Sequence, residues 1–174
     1  MAELDPVKMA LDITLKIKQL VDAVQPRKTD ALSRRARELP TLVLQTGLIP
    51  ALTFYLSKVE KEEVYKLVLE ALEAKVDKSK LEELSEEDKK KVREEVGGEG
   101  KGYTTLLGIS AYMLKQLADM YKIEKCKNIN TIVGFVECLH EIRNNRGKEV
   151  ILEKQFMKFM LEVKKLFDAF FREK

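Results

Sequence analysis

The chain has 174 residues, 45% of them hydrophobic, which fits one domain able to bury a core without metal or disulfide staples. Lys, Arg, Asp and Glu make up 35% of it, yet they nearly cancel to a net charge of +3. One histidine and two cysteines twelve positions apart make no zinc pattern, and no apolar run approaches the ~18 residues of a membrane span, so neither is expected.

The opening residues, MAELDPVKMALD, have no basic stretch followed by an apolar one, so no secretory leader is expected. In residues 7–24, Ile13, Ile17, Leu20, Val21 and Val24 recur on one helical face. Gln25-Pro26 ends that helix, because the residue before proline avoids helical backbone. A second helix starts near Thr29 or Asp30, both acceptable caps, and leads into ALSRRARELPTLVLQTGLIP (31–50). At 100° per residue, Leu32, Ala36, Leu39 and Val43 form a narrow core-facing stripe. Arg34, Arg37, Thr41 and Gln45 fall together on the opposite side, and Arg35 flanks the apolar stripe. Pro40 removes one backbone hydrogen bond, and Gly47 and Pro50 weaken the run further. A kinked or broken helix is expected, aiming its arginines away from the buried half.

EKEEVYKLVLEALEAKV (60–76) predicts a third helix. Residues 77–102 are charged and glycine-rich and read as a mobile insertion. Within it, Ser85 and Asp88 have capping-box spacing ahead of a short solvated helix at 86–95, and GGEGKG (97–102) reads as a flexible break. Tyr103–Tyr121 and Ile129–Ile142 predict two more helices, and Glu149–Arg172 the longest. In this last helix Leu152, Phe156, Met160, Val163, Phe167 and Phe170 share one face. Lys154, Lys158, Lys165 and Arg172 line the opposite one, with Leu161 among them. No alternating strand pattern and no internal repeat is present. The expectation is a single all-α domain over 1–174, a bundle of about five core helices plus the short charged one.

The small net charge hides an asymmetry. Residues 59–95 hold thirteen acids against nine bases, leaving 23 bases and 16 acids elsewhere, a net +7. A polyanion partner is compatible with that distribution. Rows of arginine and lysine hold a nucleic-acid backbone through its phosphates, which positions a strand without reading it. Base stacking needs exposed aromatics; most phenylalanines fall on apolar faces, leaving Tyr103, Tyr112 and Tyr121. Sequence-specific reading is therefore not expected. Catalytic patterns are incomplete. His140-Glu141 begins like a zinc-protease helix, but Asn144 stands where the second histidine belongs. GGEGKG lacks the spacing of a phosphate-binding loop and follows no strand. Cys126 and Cys138 read as ordinary thiols in a reducing compartment. No catalytic residue, metal ligand or cofactor is assigned, and an enzyme is not expected.

Taken whole, ALSRRARELPTLVLQTGLIPALTFYLSK (31–58) resembles the signature of the small α-helical subunit of the type III-B CRISPR effector, the fifth subunit of the Cmr complex. The matching parts are Arg34, Arg35 and Arg37, then Leu39-Pro40, Thr46-Gly47-Leu48, Leu52-Thr53-Phe54 and Ser57-Lys58. FMKFMLEVKKLFDAFF (156–171) is similar to the family's closing helix at Lys164, Lys165, Phe167 and Ala169, with Val163 where a tryptophan often stands. The resemblance covers both ends of the chain and leaves the middle poorly matched. It implies a cytoplasmic, non-catalytic subunit of an antiviral ribonucleoprotein. Copies of such a subunit stack into a short filament along the backbone subunits that hold the guide RNA, and the two filaments enclose the guide–target duplex. The implied partners are other Cmr subunits, neighbouring copies, guide RNA and target RNA, with no membrane and no cofactor. RNA or subunit contacts are expected at Arg34, Arg35, Arg37, Gln45, Lys58, Lys154, Lys158, Lys164 and Lys165. The alternative is a helical adaptor whose basic rows meet acidic protein surfaces, with no nucleic-acid contact.

Overall fold

Helices with one apolar stripe each can bury it only against one another, and this chain gathers its stripes into one shared core. The computed structural model describes residues 3–74 and 77–173. Among the described residues there are nine α-helices and no strand: α1 (Pro6–Val24), α2 (Asp30–Thr46), α3 (Leu48–Ser57), α4 (Glu62–Leu72), α5 (Lys78–Glu82), α6 (Glu86–Gly97), α7 (Tyr103–Tyr121), α8 (Ile132–Arg143) and α9 (Arg146–Phe171). A 3₁₀ turn, Glu124–Lys127, lies between α7 and α8.

The first helix shows how local chemistry sets the bounds. Asp5 accepts the Val7 and Lys8 N–H groups at 2.9 and 3.2 Å, and Pro6 occupies the first helical position, where no donor is missed. Gln25, ahead of Pro26, turns left-handed at φ 48° and ends it. α9 lies against both α1 and α2. It runs antiparallel to α2: Thr29 Oγ1 donates to the Phe171 carbonyl (3.1 Å) at one end, and the Leu48 N–H donates to Glu153 Oε2 (2.9 Å) at the other. α7 packs on α4 and α3. Where it meets α4, a Cβ on Gly108 would come within 2.7 Å of Val68 Cγ1, so glycine sets that approach. Two buried tyrosines satisfy their hydroxyls on carbonyls, Tyr55 on Arg35 (3.0 Å) and Tyr65 on Ile129 (2.6 Å). Burial pushes both phenols well above the usual tyrosine range.

Several expectations change in detail. α2 is not broken at Pro40. Ala36, Leu39 and Val43 are buried on either side of it, and that packing holds the helix to Thr46. The break falls at Gly47, whose φ of 94° lies in the region glycine favours. The third helix is shorter than 60–76, and Lys75 and Val76 lie outside the described residues. The charged segment 77–102 carries two helices, α5 and α6. Their Leu81, Val92 and Val96 are buried in the core beside α1 and α2, and Arg93 donates to the Val24 carbonyl. Ser85 caps α6 as its spacing predicts, accepting the Asp88 N–H at 3.1 Å. On α9, Phe159 and Phe171 are buried whereas Phe170 is exposed. Phe170 borders a surface hollow between the end of α1 and the Gln25-Pro26 corner. The cysteines are not free thiols: the 3₁₀ turn and α8 pack together, bringing Cys126 and Cys138 to a Cα separation of 4.5 Å in a disulfide. Both residues are fully buried, which shelters the bond from reductants.

Candidate nucleic-acid interface

The outward side of α2 carries its charge in three different ways. Arg34, half-buried, bonds Asp30 one turn earlier at 2.7 Å. Arg37, exposed, finds its carboxylate on another helix: its Nε lies 3.5 Å from Asp168 Oδ1, and that same carboxylate accepts the Ser33 hydroxyl at 2.7 Å. Arg35 is turned inward and only 6% exposed. Its Nε donates to the Lys101 carbonyl at 2.9 Å, Nη1 pairs with Glu38, and the guanidinium lies 4.0 Å from the centre of the Tyr103 ring. Grouped with its neighbours as a contact residue from sequence, Arg35 instead ties α2 to the start of α7. The reason lies in its position: flanking the apolar stripe, it is carried under the surface when that stripe is buried.

Asp168 joins two parts of the sequence. It stands on the flank of α9 next to the lysine crest, so its bond to Arg37 brings the arginines of α2 and the lysines of α9 onto one continuous face. On that crest Lys154, Lys158 and Lys165 are exposed and Lys164 is half-buried. Lys165 pairs with Glu162 at 2.8 Å. Among the described residues, none offers Lys154, Lys158 or Lys164 a carboxylate within 4.0 Å. Among the described residues these three charges have no ion-pair partner. The arginine pairs are partly exposed, and such pairs are worth only about 0–1 kcal/mol, so an external anion can compete for the guanidinium groups. Apolar residues interrupt the face: Leu44 is 75% exposed and Leu161 is exposed nearby.

On its other flank α2 borders a groove of about 610 Å³ shared with α3 and the start of α7. Arg34, Arg37 and Gln45 line it from α2, Phe54 from α3 and Tyr103 from α7. Phe54 is 44% exposed, in T-shaped contact with Tyr103 (centroids 5.9 Å apart) and Tyr55 (6.1 Å). Lys58, at the end of α3, holds its ammonium 5.2 Å from the Phe54 ring centre. The sequence reading missed Phe54 by assigning phenylalanines to apolar faces. Helical spacing could have found it: Leu48, Ala51, Leu52 and Tyr55 define the buried stripe of α3, and Phe54 falls about 110° off its centre. Tyr112 and Tyr121 are half-buried and lie outside this groove.

His140 is exposed on α8, its Nδ1 3.5 Å from the Asn144 amide, beside Glu137 and Glu141 in a shallow hollow. Among the described residues, no group of three or more His, Cys, Asp or Glu could hold a metal ion, and no helix is long and apolar enough to cross a membrane.

No curated protein and no solved structure matches the chain. A family model does match: the CRISPR-associated protein family Cas_Cmr5, over residues 8–106. That span is more than half of the chain, runs from α1 into the first turn of α7, and contains every residue of the arginine groove. The lysine-bearing helix α9 lies beyond it. Matched over more than half of its length, this all-helical chain belongs to the Cmr5 family, the small-subunit family of the type III-B CRISPR Cmr complex.

Proposed function

We propose that this chain is a non-catalytic, cytoplasmic building block of the type III-B RNA-guided effector. Copies of it stack beside the backbone subunits, and its α2–α9 face holds the guide–target RNA duplex by phosphate contacts. One observation carries the reading: Asp168 joins the arginine row and the lysine crest into one face on which Lys154, Lys158 and Lys164 have no carboxylate partner among the described residues. Uncompensated cations on a rigid helical scaffold fit a regularly spaced polyanion. Arg34, Arg37, Gln45 and Lys165 complete the contacts, and Lys58 extends them past α3. Such contacts position RNA, while guide–target pairing supplies the sequence specificity.

The test is Arg34→Glu with Arg37→Glu in the assembled complex, titrated with target RNA across a salt series. The expected loss is about ten-fold at low salt, with the slope of log affinity against log salt reduced by about 1–2. Unchanged affinity and slope would remove RNA from this face. Exposed Leu44 and Leu161 among the lysines favour one competing reading, an acidic protein neighbour with an apolar centre. Crosslinking the assembled complex to labelled RNA separates the two.

A further inference from the structure

We propose that the groove between α2 and α3 docks one unpaired RNA base, with Phe54 as its stacking surface and Arg34 and Arg37 as ligands of the adjoining phosphate. The inference rests on the reading of this face as RNA-facing and adds a single-strand subsite to it. Phe54 is nearly half exposed although the core stripe of α3 is complete without it. T-shaped contacts with Tyr55 and Tyr103 fix its orientation, and no ring lies flat against it. What sits near its centre is the Lys58 ammonium at 5.2 Å, a contact a base can replace while the lysine turns to the phosphate. Glu38, the acid lining the groove, is paired with Arg35, while Arg34 and Arg37 are held by the partly exposed Asp30 and Asp168, pairs weak enough for an incoming phosphate to compete with. Gln45 supplies an amide donor and an amide acceptor for a base edge. The groove, about 610 Å³ and open to solvent, has room for one nucleotide. A base inside a duplex is already stacked on both sides, so the occupant is an unpaired one.

The experiment uses the full chain at low salt with two probes, a twelve-nucleotide oligouridylate and a twelve-base-pair RNA duplex. Phe54→Ala should weaken oligouridylate binding about ten-fold and leave duplex binding within about two-fold, with Phe54→Tyr restoring the first. Irradiating oligouridylate that carries 4-thiouridine should place the adduct on the peptide containing Phe54. The subsite is overturned if Phe54→Ala binds oligouridylate like the unaltered chain, if both probes weaken equally, or if the unaltered chain does not bind oligouridylate. Should Phe54→Ala be silent while Arg34→Glu with Arg37→Glu still lowers RNA affinity of the assembled complex, the subsite falls and the phosphate-holding face stands.

Discussion

Two regions of this molecule are dense in charge and use it in opposite ways. On α6 most of the charges pair within the helix: Lys91 with Glu87 and Asp88, and Lys89 and Arg93 with Glu86, at separations of three, four or seven residues, and of its four bases Lys90 alone has no carboxylate partner among the described residues. Such pairs neutralise the surface locally and contribute a few tenths of a kcal/mol each. Across α2 and α9 the pattern is partly tertiary. Arg34 and Lys165 pair within their own helices, but Arg37 reaches another helix for its carboxylate, Arg35 is consumed inside, and three lysines find no acid among the described residues. Charge density alone therefore does not mark an interface. What distinguishes one is charge left over after the fold has paired what it can.

The sharpest way to break that contrast is to reverse equal numbers of charges in the two regions. Arg34, Arg37, Lys154 and Lys158 changed to Glu should cost the assembled complex about a hundred-fold or more in RNA affinity at low salt. Lys89, Lys90, Lys91 and Arg93 changed to Glu should cost less than about three-fold in the same titration. Next in size is the anchoring of α6, which lies in its apolar side. Val92→Ala should destabilise the chain by about 2 kcal/mol, lowering Tm by about 4–8 °C. Glu87→Ala, which removes one Lys91 pair, should stay within about 0.5 kcal/mol by the same thermal melts. Between these two in size is the tertiary link itself. Asp168→Ala strands the buried Ser33 hydroxyl and unpairs Arg37, an expected loss of about 1 kcal/mol in denaturant unfolding.

The least effect concerns pH. Glu95 on α6 accepts the Thr104 N–H at 2.8 Å, and burial raises its carboxyl above the ordinary 4.5. Between 4.5 and that raised value the folded chain binds more protons than the unfolded one, so this group's contribution to stability is complete below 4.5 and falls as pH rises. Glu95→Gln keeps an acceptor and cannot ionise. Its stability relative to the unaltered chain should therefore rise with pH from 4.5 towards neutral, read from melts across that range. A constant difference would mean that Glu95 does not titrate differently on folding.

How much of this could be read from the sequence depends on whether the deciding contact is local. The Ser85 cap and the end of α1 at Gln25 follow from residues within a turn of each boundary, whereas Thr29, at the start of α2, makes no local side-chain cap and donates its hydroxyl to Phe171 instead. The outward direction of Arg34 and Arg37 follows from helical period once the apolar stripe is recognised. The placement of Pro40 within a continuous helix does not, because its local penalty is outweighed by the burial of Ala36, Leu39 and Val43 against neighbouring helices. The Cys126–Cys138 bond, the inward commitment of Arg35 and the exposure of Phe170 likewise depend on which helices lie alongside, whereas the exposure of Phe54 was legible in the spacing of α3.

By itself the amino-acid order determined that this chain is helical, which face of each long helix is apolar, and that its basic residues fall into rows; period and capping operate over a few residues and need no partner. Only the tertiary structure decided that the two rows form one face, that one arginine of three is spent inside, and that a phenylalanine borders the groove. Each of those outcomes requires a neighbour more than sixty positions away in the chain or an element boundary set by packing, and neither is encoded in local spacing.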